Sequence, residues 1–295
     1  MFLISLLQVQ KFRGKTGDNM ADKNYLHTAY ANSADGMDGF TTVYPNLNLL
    51  QGTNAQAPIN SNWKDVGGSQ ISLATDEKAF ISSLTPSSSV QVGLWQEGVS
   101  ANIGETYTIS AFVKNMSSYA FQDFRLTLVT RGNSTNVYPK SFTIPNDNQY
   151  HYISFSYKVT ATDVKTIGAQ FLVNNALSNV QTVFRTKYPK LEQGSITTPY
   201  MQSASEVTTA DWPKYVGTYV DTNPVSSTDS SKYVWDKMKY RVYLDGVPVG
   251  GSKLQSFNLE NLKAGTTYNV QVNQINDNIE SDKSESVAFK TTLTN

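Results

Sequence analysis

Residues 105–114 read ETYTISAFVK, and every second residue from Tyr107 to Val113 is apolar. Successive side chains of a β-strand point to opposite faces of its sheet, so this alternation predicts a strand with one buried face. The same period of two recurs in four more runs, at 90–94, 124–128, 153–159 and 167–173. Turns rich in Asn, Ser and Gly separate the runs, with no helical period between them. The pattern therefore predicts an all-β sandwich or barrel.

The two flanks of this strand-rich region differ from it and from each other. The N-terminal flank is rich in Gly, Asn, Asp and Tyr and predicts an irregular arm that becomes a strand near 48–52. On the other side, Pro213 and Pro224 exclude long regular elements, so we expect a connector that Trp212 anchors to the strand-rich region. A turn pair, Asp245-Gly246, lies between two apolar runs near the C-terminus and predicts a hairpin. We divide the chain into an arm (1–45), a β-sandwich (46–202), a connector (203–235) and a small β unit (236–295).

The first nineteen residues have a separate interpretation. The apolar run at 2–7 is too short for the core of a signal peptide and has no basic region before it. Residues 17–19 can be encoded by GGA-GAT-AAY, which resembles a ribosome-binding sequence ahead of a start codon. We hypothesise that the natural chain begins at Met20 and that it leaves its cell without a signal peptide, for example by lysis.

Composition and charge exclude several classes of function. The 24 basic and 24 acidic residues balance, which argues against nucleic acid as a partner because phosphates require a basic surface. The absence of cysteine excludes disulfides and thiol chemistry. Only two histidines, His27 and His151, are available for a Ser-His-Asp centre or a metal cluster. No apolar run approaches the roughly 20 residues of a membrane span, so we predict no membrane contact.

Three motifs of the middle segment resemble carbohydrate-binding modules of families 4 and 9. These are Asn48-Leu-Leu50, the run from Gly104 to Lys114, and Lys190-Leu-Glu192-Gln-Gly194. The resemblance implies a jelly-roll β-sandwich. Related jelly rolls often carry a structural calcium ion, for which Glu192 and Asp76 are candidate ligands, although no run of the DxDxDG type is present. We expect no other cofactor.

The flanks carry a second and more specific resemblance. Residues 30–50 and 203–222 are similar to the flanks of structural proteins from phages of lactic acid bacteria, and most similar to accessory baseplate proteins of the BppA type from lactococcal siphophages. The C-terminal unit resembles a fibronectin type III β-sandwich, since 262–268 matches its loop leading to a tyrosine corner. Trp235 lies too close to Tyr240 for a full set of early strands, which implies a truncated unit or a borrowed strand.

A saccharide offers an apolar face of C–H groups and a rim of hydroxyls. A binder therefore needs aromatic platforms with polar side chains beside them. Alternation places Trp95 outward, with Gly93 leaving open space beside its ring. Trp95 can equally be a ring packed under a loop, and Trp63 is interpreted as core. The candidate saccharide-binding residues are the outward Trp95, Arg125, Arg131 and Tyr152, which can share one face, and the loop aromatics Tyr119, Phe121 and Tyr138.

The resemblance implies a virion protein of the tail baseplate that binds host cell-wall polysaccharide, aids adhesion and contacts other baseplate proteins. We expect the C-terminal unit and connector to dock on the baseplate, with the arm as the competing interpretation. The alternative is a structural decoration or brace that touches only virion proteins. A depolymerase is a further alternative that requires two carboxylates about 5–10 Å apart. The available carboxylates, such as Asp65, Asp76, Glu97, Glu105 and Asp123, stand in no catalytic motif, so we predict no enzyme activity.

Overall fold

The structure is a computed structural model that describes residues 24–292, apart from 38, 161, 260, 261, 277 and 278. The hypothesis about residues 1–19 lies outside the described residues. Within the described part of the chain, no helix is long and apolar enough to cross a membrane. The predicted all-β fold is confirmed, because the regular structure is almost entirely strand.

Strands are numbered in chain order, and the two short helices are single 3-10 turns. The helical turns are Thr209–Asp211 and Ser230–Lys232. The strands are β1 (Tyr25–Ala31), β2 (Phe40–Thr41), β3 (Lys64–Val66), β4 (Gln70–Ala74), β5 (Ala79–Leu84), β6 (Val90–Ser100), β7 (Thr106–Asn115), β8 (Phe121–Arg131), β9 (Thr135–Ile144), β10 (Tyr150–Lys158), β11 (Thr166–Ala176), β12 (Thr182–Gln193), β13 (Tyr215–Asp221), β14 (Val234–Lys237), β15 (Tyr240–Leu244), β16 (Val247–Ser252), β17 (Thr267–Asn276), β18 (Ile279–Glu280) and β19 (Val287–Lys290).

Residues 47–207 form one compact unit, which we call the jelly-roll unit. Its ten strands make two five-stranded antiparallel sheets. Sheet I has the order β3-β6-β11-β8-β9, and sheet II has the order β10-β7-β12-β5-β4. Strands that neighbour each other in sequence mostly join opposite sheets, as the long connections of a jelly roll require. The predicted jelly-roll β-sandwich is therefore present.

The core of the jelly-roll unit lies between the two sheets. It is built from the alternate residues that the period of two marks, such as Ile109, Phe124 and Phe171, all of which are fully buried. Trp63 packs on Phe80 with ring centroids 4.9 Å apart, in agreement with its interpretation as core. Burying a large apolar side chain contributes about 1.5–3 kcal/mol, so this layer is the main source of stability.

The two ends of the jelly-roll unit are joined by one buried asparagine. The Asn48 backbone N–H donates to the carbonyl of Gln202, and Asn48 forms a parallel bridge with Ser203. Its side-chain oxygen accepts from the backbone N–H groups of Leu50 and Leu191. The strand expected over 48–52 is wrong beyond this residue, because the chain turns away after Asn48.

The described residues on either side of the jelly-roll unit, within 24–46 and 208–292, belong together in a second compact unit, which we call the flanking unit. Its sheet III has the order β14-β13-β1-β2, and its sheet IV has the order β16-β15-β17-β18, with β19 also paired to β17. The interpretation of the arm as irregular is wrong for β1 and β2, although the described residues between and after these strands are irregular. Strand β1 pairs with β13 along seven residues, from Tyr25 opposite Asp221 to Ala31 opposite Tyr215.

Sheet IV carries the fibronectin-like features. The Tyr268 hydroxyl accepts from the backbone N–H of Lys263 at 2.9 Å, which is the expected tyrosine corner. A side chain of sheet III also covers part of sheet IV. A Cβ on Gly250 in β16 would lie 2.8 Å from the Tyr30 hydroxyl of β1 and closer still to the ring of Phe257. Glycine is therefore required where the two side chains cover the strand.

Trp212 is anchored differently from the expectation. Its ring stacks on Tyr44 with centroids 5.8 Å apart, and the Arg241 guanidinium lies 4.4 Å from its centroid. All three residues belong to the flanking unit. The anchor thus joins the connector to the arm and to sheet IV, not to the jelly-roll unit.

Candidate functional site

The outer face of sheet I brings together three of the predicted residues. Trp95, Arg125 and Arg131 all point away from the core, as their strand alternation requires. Trp95 is partly buried, with Lys64 and Arg131 placed 5.3 and 5.7 Å from its ring centroid. The open space expected at Gly93 is absent, because a Cβ there would lie 2.7 Å from Leu172, which fills it. The Trp95 ring is therefore enclosed by neighbours more than the sequence suggests.

The cations of this face are neutralised by adjacent carboxylates. Glu97 pairs with both Lys64 and Arg131, at 3.2 and 3.0 Å. Arg125 donates two hydrogen bonds to Asp123, at 2.9 and 2.7 Å. Burial acts to raise the pKa of Asp123, but hydrogen bonds from Arg125 and two polar neighbours outweigh it and lower that pKa. The result is a hydrogen-bonded polar face with one aromatic ring.

Of the three aromatics expected in loops, Tyr119 lies in the loop between β7 and β8, and Phe121 and Tyr138 lie in strands. Phe121 begins strand β8 and is 1% exposed, so its interpretation as a rim residue is wrong. Tyr119 packs edge-on against Phe121 and shares a hydrogen bond with Thr182 at 2.6 Å. Tyr138 lies in β9 and stacks on Tyr157 at 3.9 Å. All three rings are committed to interior packing.

Tyr152 lies on the opposite side of the jelly-roll unit from Trp95, on the outer face of sheet II. The expectation that the four outward residues share one face is wrong for this residue. Tyr152 in β10 stands directly opposite Phe112 in β7, and their ring centroids are 4.9 Å apart. Tyr152 is 47% exposed and Phe112 is 36% exposed. Among the described residues of the jelly-roll unit, these two aromatic rings are the most exposed, and they contact each other. We call them the aromatic pair.

Phe112 was detectable in the sequence. In ETYTISAFVK the apolar alternation assigns Phe112 to the polar side of the strand, together with Lys114. An aromatic residue at an outward strand position is the signal for an exposed ring. The strand itself does not reveal that Tyr152 lies opposite, because pairing of β7 with β10 is a property of the whole sheet.

A cluster of charged residues borders the aromatic pair. Glu77 accepts from the Tyr150 hydroxyl, pairs with Arg185 at 2.6 Å and lies 3.5 Å from Lys114. The hydrogen bonds from Tyr150 and Arg185 lower the pKa of Glu77 to about 2. Burial and the hydrogen bond to Glu77 raise the pKa of the Tyr150 hydroxyl, which therefore stays a neutral donor. The Glu77 carboxylate thus holds the side chains of Tyr150, Arg185 and Lys114 in place beside the aromatic pair.

We expect Glu77 to make the jelly-roll unit acid-labile. A folded pKa below the ordinary 4.5 means that the stabilisation is complete above pH 4.5 and is lost as the pH falls toward 2. The contribution is about 1 kcal/mol after screening by solvent. Urea unfolding at pH 7 and pH 3 should show Glu77→Gln less stable than the parent at pH 7, with the difference reduced at pH 3. A difference that does not change with pH would contradict this assignment.

Glu192 makes contacts that leave no place for calcium. Its carboxylate lies 3.1 Å from the Lys190 ammonium and accepts two hydrogen bonds from Thr198. Both charged side chains are essentially inaccessible. In the described part of the chain, no three acidic or histidine side chains converge in a manner that could hold a metal ion. Glu192 is the partner of a buried lysine in this arrangement, and the suggestion of Glu192 with Asp76 as calcium ligands is not supported.

Comparison with known proteins identifies the family. A family model described as minor structural protein 5-like, C-terminal domain, matches residues 213–271, which lie in the flanking unit. A chain of the tripod from the baseplate of bacteriophage Tuc2009 is 46% identical, with a TM-score of 0.70, and the match covers 94% of this chain and 100% of that one. The chain belongs to the baseplate proteins of lactococcal phages. No curated sequence matches this baseplate protein.

Two carbohydrate-binding modules are also similar to the baseplate protein. A family 4 module is 17% identical with a TM-score of 0.36, covering 45% of this chain and 95% of that one. A xylan-binding module from Paenibacillus barcinonensis is 13% identical with a TM-score of 0.40, covering 53% of this chain and 99% of that one. Both likenesses are distant, so the description of the jelly roll rests on the sheet order given above.

Proposed function

We propose that this baseplate protein binds a saccharide of the host cell wall, without catalysis, through the outer face of sheet II. The observation that carries the proposal is the aromatic pair, Phe112 and Tyr152, exposed side by side on adjacent strands. Sugar rings present C–H groups that pack on aromatic faces. Rings held on strands are more rigid than rings in loops, so little conformational entropy is lost on binding.

The surroundings supply the hydrogen-bonding groups that a sugar also needs. Ser154 follows Tyr152 on the same face, and Lys114 and Tyr150 stand opposite each other in the next row. Glu77 fixes Lys114 and Tyr150 from the side. Charged and hydroxyl groups next to a flat aromatic surface are the components from which sugar sites are built.

The biological setting follows from the relative. The related chain is part of a tripod in the baseplate of its phage. We infer that this protein likewise occupies the virion baseplate, contacts other baseplate proteins and acts at the host surface. Single sugar contacts are weak because hydroxyls give up water on binding. Several copies on one virion raise the effective concentration and so the overall affinity.

We expect Phe112→Ala and Tyr152→Ala each to weaken binding of the full chain to lactococcal wall polysaccharide about tenfold, a loss typical of one stacking anchor. Both side chains are partly exposed, so the fold should be retained. Val137→Ala, an exposed position of β9 in sheet I, is the matched control and should bind normally. Affinity can be measured by biolayer interferometry on immobilised polysaccharide.

The same experiment separates the competing interpretations. If Trp95→Ala abolishes binding and the aromatic pair can be removed without effect, the site lies on the outer face of sheet I. If the parent protein fails to bind even when displayed in many copies, the interpretation as a structural brace is favoured. Trp95→Ala is included because the outer face of sheet I also carries polar groups that suit a sugar. Gln91, Asn174 and Asp123 form a hydrogen-bonded chain on that face.

A further inference from the structure

The outer face of sheet II carries more positive than negative charge. Four accessible cations lie on it, Lys114 of β7, Lys158 of β10, and Arg185 and Lys187 of β12, as their alternation and register show. The carboxylate of Glu77 contacts two of these cations, Lys114 and Arg185. The whole chain has no net charge, so this surplus is local to the face.

Among the described residues, Lys187 and Lys158 are the two cations of this face that form no ion pair with a carboxylate. The two oxygens of Glu77 are occupied by Arg185, Lys114 and Tyr150. Lys187 stands directly opposite Phe112 in the pairing of β12 with β7. Its row across the sheet is therefore the row of the aromatic pair.

Aromatic rings hold the Lys187 ammonium in place. It lies 5.5 Å from the ring centroid of Tyr150 and 5.0 Å from that of Tyr188. Cation–π contacts of this kind orient an ammonium without neutralising it. The ammonium is thus available to an anionic group of a ligand that rests on the neighbouring rings.

A backbone irregularity helps to position Tyr188. The register between β12 and β7 shifts between Lys187 and Lys190, which marks a β-bulge. Within the bulge Tyr188 has a φ of +52°, a conformation that side-chain-bearing residues rarely adopt and that tends to persist at functional positions. The ring of Tyr188 also stacks on that of Tyr200, with centroids 4.3 Å apart. Bulges re-aim side chains in this way.

We propose that the saccharide on the aromatic pair is acidic and that the Lys187 ammonium pairs with its anionic group, a phosphate or a carboxylate. This inference rests on the proposed function. Two groups of residues on one face then have separate roles. Phe112 and Tyr152 stack on the sugar ring, and Lys187 binds its anionic group. The ion-paired face around Trp95 has no comparable free cation, because each of its three cations contacts a carboxylate.

The test measures binding of the full chain to lactococcal wall polysaccharide in three forms. One is native, one is treated with hydrofluoric acid to remove phosphate, and one is carbodiimide-activated and reduced to convert carboxylates to alcohols. Lys187→Met should weaken binding to the native form about tenfold at low salt and should flatten its salt dependence. Lys187→Arg should keep most of the affinity, and Lys140→Met, at an exposed lysine of β9, should keep all of it.

Each outcome decides something. Loss of parent binding after phosphate removal alone identifies a phosphorylated saccharide, and loss after reduction alone identifies a carboxylate. Unchanged binding to both treated forms, or Lys187→Met binding like the parent while Phe112→Ala does not, would overturn the acidic ligand and leave saccharide binding intact. Normal binding by both Phe112→Ala and Tyr152→Ala would instead remove the proposed site itself.

Discussion

Replacing Lys190 with methionine should destabilise the jelly-roll unit by about 3–5 kcal/mol, since it leaves the carboxylate of Glu192 buried without a counter-charge. The ammonium lies 3.1 Å from that carboxylate and donates further to the hydroxyl of Thr198 and the carbonyl of Pro199, at 2.6 and 2.8 Å. Burial lowers the pKa of Lys190 to about 8 even though Glu192 opposes the shift. The cost of desolvation thus exceeds the attraction between the partners.

Because desolvation costs more than the attraction returns, the variant that lacks both charges should behave differently from Lys190→Met alone. Removing both charges with Lys190→Met and Glu192→Met should recover much of the lost stability, because an apolar pair needs no solvation. Urea denaturation with hydrogen exchange of peptides from β7 and β12 would localise the effect to this unit. Lys140→Met is the control and should change the free energy of unfolding by less than about 0.5 kcal/mol. If Lys190→Met were as mild as the control, the pair would have no role in holding the unit together.

Replacing Arg241 with methionine should destabilise the flanking unit by about 2–4 kcal/mol. Arg241 is 2% exposed, donates to the Tyr44 hydroxyl at 2.9 Å and pairs with Glu280 at 2.6 Å. Its guanidinium also covers the ring of Trp212. Tyr44, Trp212 and Arg241 come from the arm, the connector and sheet IV, so one side chain joins three separate segments.

The expected readout is faster hydrogen exchange in peptides covering 24–46 and 208–221, with the jelly-roll unit unchanged. Arg241→Lys should rescue little, because a single ammonium cannot serve Tyr44 and Glu280 while stacking on an indole ring. Lys253→Met removes an exposed ion pair with Asp236 and serves as the control. Exchange that is no faster than in this control would mean that the three segments hold together without Arg241.

The sequence predicted which way side chains point much better than it predicted which strands are neighbours. Alternation alone placed Phe124 and Phe171 inside and Trp95 and Arg125 outside. It could not separate Trp95 from Tyr152, because a strand of either sheet shows the same inward and outward pattern. Sheet membership is decided by pairing between distant segments, and the candidate site was divided incorrectly for that reason.

Other incorrect predictions from the sequence also arise from contacts between distant segments of the chain. Tyr119 and Phe121 follow a turn, and a rim position was the simple interpretation. The start of β8 at Phe121 depends on packing against Phe184, which lies more than 60 residues away. Lys190 and Glu192 share a face by their spacing of two, but their burial comes from the later segment at 198–199. Such burial leaves no local signal in the sequence.

The flanking unit is assembled from both ends of the chain, with the whole jelly-roll unit inserted between them. His27 and Asp221, which contact each other across β1 and β13, are 194 residues apart. Closing so long a loop from an unfolded chain costs entropy that grows with the logarithm of its length. Once the jelly roll has formed, Asn48 and Ser203 already touch, and the loop left to close is only a few tens of residues long. The insert therefore lowers the closure cost of the unit that surrounds it by roughly 1–2 kcal/mol, which favours an order of folding from the inside outward.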